Sequence, residues 1–213
     1  MKVTYIDVGL HRSAPEVSMF IQVCERLGLD YHVYGIEADP LYAPDLVALF
    51  ADNPKVEIFS FAVAAEDGTC RLYRSAFLNG EGSSIYATKN NVDPSDSVEV
   101  LSRKLSGFMK GIDLHDAVVL KWNIEGAEYP MMNDLIESGL YRNIDLWCGA
   151  GSDMYKVAEL AELEYSYHLA MLQHGIGQFK FHDHYDPWLK KRMIDEMEFR
   201  LTALRDAYYL RHA

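Results

Sequence analysis

Three short apolar runs, each cut off by polar residues or glycine and separated by helix-forming sequence, constrain this chain more than any other feature. Val3 to Val8 is a continuous β-rich run, of the kind that is buried on both faces in a parallel sheet. It stops at Gly9-Leu10-His11-Arg12. Ser13-Ala14-Pro15-Glu16 then reads as a capping box, with Ser13 accepting from the first turn, Pro15 where a helix needs no donor, and Glu16 reaching back. Val17, Phe20, Ile21, Cys24 and Leu27 form the apolar stripe of the helix, and Gly28 is its stop. Tyr31 to Ile36 is the second run, ending in Glu37-Ala38-Asp39-Pro40. Pro40 and Pro44 open another helix, predicted to turn Leu46, Val47, Leu49 and Phe50 inwards. Val56 to Phe61 is the third. Strand, helix, strand, helix, strand is the signature of a doubly wound, Rossmann-like α/β sheet with helices on both faces.

The second half continues the pattern less evenly. Asp67-Gly68 is a turn signal, so Thr69 to Tyr73 is expected to return as a short antiparallel strand. From Ser75 to Asp96 apolar periodicity is weak, and a loop this long is read as a lid over the carboxyl edge of the sheet. Leu101, Leu105, Phe108 and Met109 predict a short helix closed by Gly111. Val118 to Trp122 is a fourth buried strand, followed by Asn123-Ile124-Glu125-Gly126 and a helix from Ala127 to Ser138 that Gly139 stops. Ile144 to Cys148 is a fifth strand, with a further helix after Asp153. Between Ser166 and Phe181 strand, helix and loop all remain open. Leu189, Met193, Met197, Leu201, Leu204 and Tyr208 then mark an amphipathic terminal helix, packing on the domain or on a second copy as a homodimer. The expectation is one domain over residues 1–213, with its core in 1–165 and a helical tail in 185–213.

Composition excludes several classes. A net charge of −12 argues against nucleic acid or an acidic membrane surface as partner. Cys24, Cys70 and Cys148 match no zinc or disulfide spacing and read as reduced thiols. Metal-capable side chains in His182-Asp183-His184-Tyr185-Asp186 read as a solvated loop, so no metal site is expected. No apolar run approaches the ~20 residues of a membrane span. Met1-Lys2 runs directly into the first strand with no leader or cap domain, so a cytoplasmic protein is expected, with acceptor specificity coming from the 75–96 loop, the tail or a dimer partner.

Open α/β sheets bind ligands beyond the carboxyl ends of their strands. Those ends supply Asp7, Gly9, His11 and Arg12; Glu37, Ala38 and Asp39; Phe61 and Ala62; Asn123 and Glu125; and Cys148, Ser152 and Asp153. Glu37, an acid directly after the second strand and ~20 residues past a glycine turn, can accept both hydroxyls of an adenosine ribose. Gly9 permits close approach where a Cβ would intrude. A nicotinamide dinucleotide wants G-x-G-x-x-G and a helix start free to hold pyrophosphate. Here the turn carries one glycine, and Glu16 adds negative charge at the helix start. That suits a cationic donor without phosphates, such as S-adenosylmethionine.

Four blocks carry a family resemblance: Tyr5-Ile6-Asp7-Val8-Gly9, Tyr34-Gly35-Ile36-Glu37-Ala38-Asp39-Pro40, Ala62-Val63-Ala64-Ala65-Glu66-Asp67-Gly68, and Leu120-Lys121-Trp122-Asn123-Ile124-Glu125-Gly126-Ala127-Glu128-Tyr129. Together they resemble the FkbM family of S-adenosylmethionine-dependent methyltransferases, which act mostly on hydroxyls of sugars and polyketides. Gly82-Ser83-Ser84-Ile85 resembles that family's mid-domain loop. The resemblance implies a class I, seven-strand-type methyltransferase sheet, with Asp7 and Gly9 in the first cofactor motif, Glu37 as ribose-binding acid and Glu125 as the acid after strand four. The chain departs from the family at Leu10, usually small, at Ser13, usually glycine, and at Asn123, usually aspartate. The expected site therefore has Asp7, Gly9, His11, Glu37, Ala38, Asp39, Ala62 and Asn123 around the cofactor. Glu125, Asn123 and His11 stand nearest the chemistry: methyl transfer to a hydroxyl of a sugar or other small molecule. Two other readings stay open, a catalytically degenerate protein that binds through the same fold and an NAD(P)-dependent oxidoreductase.

Overall fold

The computed structural model describes residues 1–75, 82–149, 153–180 and 186–212. Its main sheet has six strands among these residues: β1 (Lys2–Val8), β2 (Asp30–Glu37), β3 (Val56–Ser60), β7 (Ala117–Trp122), β8 (Leu146–Gly149) and β9 (Gln178–Lys180). They lie in the order β3-β2-β1-β7-β8-β9, and every pairing is parallel. The chain winds one way from β1 through β2 to β3 and the other way from β7 to β9. The reversal falls between β1 and β7, which is where such a sheet opens a crevice. The doubly wound expectation holds, with six described strands rather than seven.

Alternation along the strands builds two cores. On one face Val3, Tyr5, Val33, Val119 and Cys148 pack against α1 (Pro15–Leu27) and α6 (Pro187–His212). Tyr5 stacks on Phe20 at 4.3 Å between ring centroids, a geometry worth about 1 kcal/mol beyond its burial. On the other face Ile6, Ile36, Leu120 and Trp122 meet α3 (Leu105–Met109), α4 (Glu128–Ser138) and α5 (Glu164–Gln173). Met193, Met197 and Leu201 of α6 are buried, and this helix packs on α1 of its own chain. Among the described residues no helix is long and apolar enough to cross a membrane.

A second, three-stranded sheet stands beside the β2–β3 end: β4 (Ala62–Val63), β5 (Gly68–Ser75) and β6 (Val92–Arg103), in the order β4-β6-β5. β5 runs antiparallel to β6, as the Asp67-Gly68 signal predicts. The partner strand was not legible. Residues 92–96, read as the end of a lid, and Leu101, read as the start of a helix, belong to β6, half of whose side chains are exposed and which carries little apolar period. Leu101 is exposed there, and the helix begins only at Leu105. α2 is Ala43–Leu49; Leu46 is buried, whereas Val47 and Leu49 face solvent, because a helix of about two turns lays only a narrow stripe on the sheet. The undecided stretch resolves into α5 and the short edge strand β9.

The helix starts and stops differ in how they are made. Gly28 ends α1 in a left-handed conformation, with the Leu29 N–H returning to the Cys24 carbonyl at 2.9 Å. The capping box at the other end does not form. Ala14 occupies the cap position in a left-handed conformation (φ 40°), no side chain caps the helix, and the Ser13 hydroxyl instead meets His11 Nδ1 at 2.8 Å. Pro15 in the first turn fits the expectation.

Candidate active site

The carboxyl ends of β1, β2 and β7, together with the small sheet and residues 82–85, enclose a cleft of about 1020 Å³, open solvent at its mouth included. Gly9, His11, Glu37, Ala38, Asp39, Ala62, Asn123 and Glu125 all line it. Asp7 does not. It is fully buried behind the wall, opposite Lys121 in the β1–β7 register. Lys121 Nζ donates to Asp7 Oδ1 at 2.7 Å and to the Gly9 carbonyl at 2.9 Å. Burial pushes the Asp7 carboxyl up to about 7, with Lys121 pulling the other way. Burial opposes the charge on Lys121, but Asp7 and Glu16 outweigh it and raise the ammonium overall. Asp7 therefore acts on the cleft through Lys121, which holds the glycine turn from below.

The fold itself requires a glycine at position 9. Its φ is +85°, and an added Cβ would lie 2.0 Å from the Asn123 carbonyl oxygen. Within the protein the close approach is between β1 and β7, and Gly9 also lines the cleft. The Asn123 N–H closes this contact on the Val8 carbonyl at 2.8 Å, leaving the Asn123 side chain exposed to the cleft.

Glu37 and Asp39 lie two residues apart and do different work. The Glu37 carboxylate accepts the Asp39 N–H at 2.8 Å and faces the cleft while nearly buried. Burial pushes it up to about 8. Asp39 is held in a two-pronged pair by Arg74 of β5, at 2.9 and 3.1 Å, and also accepts the Leu41 N–H at 3.0 Å. It fastens the small sheet to the end of β2. The wall beside Glu37 is apolar, made by Ile36, Phe61, Ala62, Val63 and Leu72. His11 Nδ1 is engaged by Ser13 from both its hydroxyl and its N–H, at 2.8 and 3.3 Å.

At the other end stands Glu125, in a left-handed conformation (φ 54°) that few residues other than glycine adopt. Its carbonyl accepts the Ser84 hydroxyl at 2.7 Å, and its Oε2 meets Lys89 Nζ at 2.8 Å. Lys89 is shut off from solvent and donates as well to the Gly82 carbonyl at 2.7 Å and to Asn91 Oδ1. This lysine pins residues 82–91 across the mouth of the cleft, so part of the expected lid is a strapped cover. Burial raises the Glu125 carboxyl, the neighbouring Asp153 raises it further, and Lys89 opposes both. Glu128, just behind, accepts the Gly126 N–H at 2.9 Å and is pushed by burial up to about 8. Sequence reasoning missed Lys89, because a lysine in a polar stretch reads as solvated. Among the described residues no group of three metal-binding side chains assembles; the histidines of 182–184 lie outside them.

The lining of the cleft is a poor fit to a dinucleotide. The cleft offers three buried acids beside an apolar slot: Glu37, Asp39, which is paired with Arg74, and Glu16, which stands in the first turn of the helix after the glycine turn, next to Pro15 without an N–H. A pyrophosphate would meet negative charge where it needs donors.

The methyltransferase FkbM domain matches residues 7–192 of the chain. No curated protein matches. Among solved structures, the methyltransferase FkbM from Methylobacillus flagellatus KT is similar at 13% identity and a TM-score of 0.45, over 77% of this chain. The chain spans 37% of the length of that protein.

Proposed function

The chain belongs to the FkbM methyltransferase family, and on that premise we propose that it transfers a methyl group from S-adenosylmethionine to a hydroxyl of a sugar or another small acceptor. The observation that carries the donor is Glu37, an acid buried at the end of β2 that faces the cleft at the reversal of strand order. Glu37 would hold the ribose hydroxyls, and the Ala62–Leu72 wall the adenine. Glu16 adds a further acid to the lining at the helix start, which favours a cationic ligand over an anionic one. When bound, S-adenosylmethionine supplies the electrophilic methyl.

The chain's own contribution is then alignment and a proton acceptor. Glu125 has the stronger case over His11. Its raised carboxyl is a better base than an ordinary glutamate, and Lys89 fixes its direction. His11 has Nδ1 committed to Ser13 and is read as a turn-forming residue that also lines the cleft. Asn123, neutral and exposed to the cleft, can orient an acceptor without contributing charge. The acceptor class follows from the family resemblance and not from the shape of the cleft.

Titration with S-adenosylhomocysteine by calorimetry tests the donor. Saturable binding is expected, weakened at least ~10-fold by Glu37→Ala, as the loss of the hydrogen bonds to the ribose hydroxyls requires. Binding of NADH with no response to S-adenosylhomocysteine would replace this reading with the oxidoreductase one. Binding without transfer to any hydroxyl acceptor in a broad screen would favour the degenerate one.

A further inference from the structure

The terminal helix α6 carries large apolar side chains on two opposite faces. One face buries Met193, Met197 and Leu201 against its own protomer. On the other, Trp188, Phe199 and Leu210 are 66%, 71% and 82% exposed. They follow at intervals of eleven residues, close to three full turns, and so lie on one line along the helix. A helix that only covers its own domain is polar on its outer face. Here three large apolar side chains stand in water along one line, each about 16 Å from the next, with charged residues between them.

The residues between them identify the partner. Arg192 lies seven positions before Phe199 and Asp206 seven after it, both exposed and both on the outer face. Trp188 and Leu210 stand eleven positions to either side. A second copy of α6 laid antiparallel, with a twofold axis through Phe199, brings each member of these pairs opposite the other. Arg192 meets Asp206 of the partner subunit, Trp188 meets Leu210 of the partner subunit, and the two Phe199 rings meet at the axis. A parallel arrangement would set Arg192 against Arg192 and Asp206 against Asp206. Within the protomer Arg192 lies over the Trp188 ring at 5.9 Å and Asp206 touches Arg205 at 3.0 Å. Both contacts are on the same helix, at the surface, and can be shared with a partner.

We propose that this face is the self-complementary surface of a twofold homodimer, formed by antiparallel pairing of the two α6 helices about Phe199. A surface that matches itself under a twofold rotation is what an isologous interface needs. The proposal is independent of the donor and acceptor readings above.

Sedimentation equilibrium at micromolar concentration tests it. The unmodified chain is expected to be dimeric. Phe199→Asp should weaken association by more than ~30-fold while leaving the circular dichroism and melting of the protomer unchanged, since the side chain is exposed there. Arg192→Asp and Asp206→Arg should each weaken the dimer, and the two together should restore it. A monomeric unmodified chain, or a dimer indifferent to Phe199→Asp, overturns the interface. Single reversals that weaken the dimer without rescue by the double variant overturn the antiparallel register.

Discussion

Glu37→Gln should raise the stability of the ligand-free protein and lower its affinity for the donor, and the gain in stability should depend on pH. Burial lifts the Glu37 carboxyl from 4.5 to about 8. The folded state therefore keeps a proton that the unfolded state releases. Any stability tied to this proton is complete below ~4.5 and is lost as the pH rises through about 8. At ~1.4 kcal/mol for each pH unit, the interval sets a ceiling of ~5 kcal/mol by pH 8. Water and relaxation around the ionised carboxylate leave on the order of 2 kcal/mol of this to be recovered. Glutamine does not titrate, and its carbonyl can still accept the Asp39 N–H that Glu37 takes at 2.8 Å. In a chain of this size the gain corresponds to a rise in Tm of ~4–8 °C at pH 8, falling to near zero at pH 5. Differential scanning calorimetry of the two proteins from pH 5 to 8 measures it. Above about pH 8, where Glu37 is ionised, the same substitution should weaken S-adenosylhomocysteine by ~10–100-fold, because charged hydrogen bonds become neutral ones. A Tm difference that is flat across this range, or a variant less stable at pH 8, would refute the burial argument.

Three further outcomes follow from the site. Gly9→Ala places a Cβ 2.0 Å from the Asn123 oxygen at a φ of +85°, so the β1–β7 contact must open; a loss of more than ~3 kcal/mol in denaturant unfolding is expected. Lys89→Met removes the donor shared by Glu125, Gly82 and Asn91. It should cost ~1–3 kcal/mol, less than a fully buried pair because Glu125 is 17% exposed, and should speed hydrogen exchange across residues 82–91. Burial pushes Cys24 up to about 12 and Cys148 well above its ordinary value, while Cys70 sits half-buried on β5. Native labelling with a thiol reagent should therefore stop at one equivalent, on Cys70.

The parts of this protein that were legible in the sequence are those whose residues answer only to local rules. β1, β2 and β7 are buried on both faces and read as unbroken apolar runs, and Gly28 and Gly139 end their helices in the left-handed conformations their positions suggest. Glu37 could be placed because a strand end fixes where its side chain emerges. The rest depends on pairing between distant segments. Asp7 looks like a ligand-facing acid until the β1–β7 register sets Lys121 beside it. β6 carries Asp93, Pro94, Ser95 and Asp96 because much of it faces water, so it has no apolar period to detect. Lys89 becomes a buried strap only when Gly82, Asn91 and Glu125 arrive from three places in the chain. The capping box at Ser13 failed for a local reason, since His11 competes for the serine hydroxyl and Ala14 takes the cap position.

A crystal structure with S-adenosylhomocysteine tests the central claim most directly. The account predicts the ligand in the cleft at the ends of β1, β2 and β7, with its ribose hydroxyls on Glu37 and its sulfur towards Asn123 and Glu125. A ligand bound elsewhere, or a ribose held by other groups with Glu37 untouched, would contradict it.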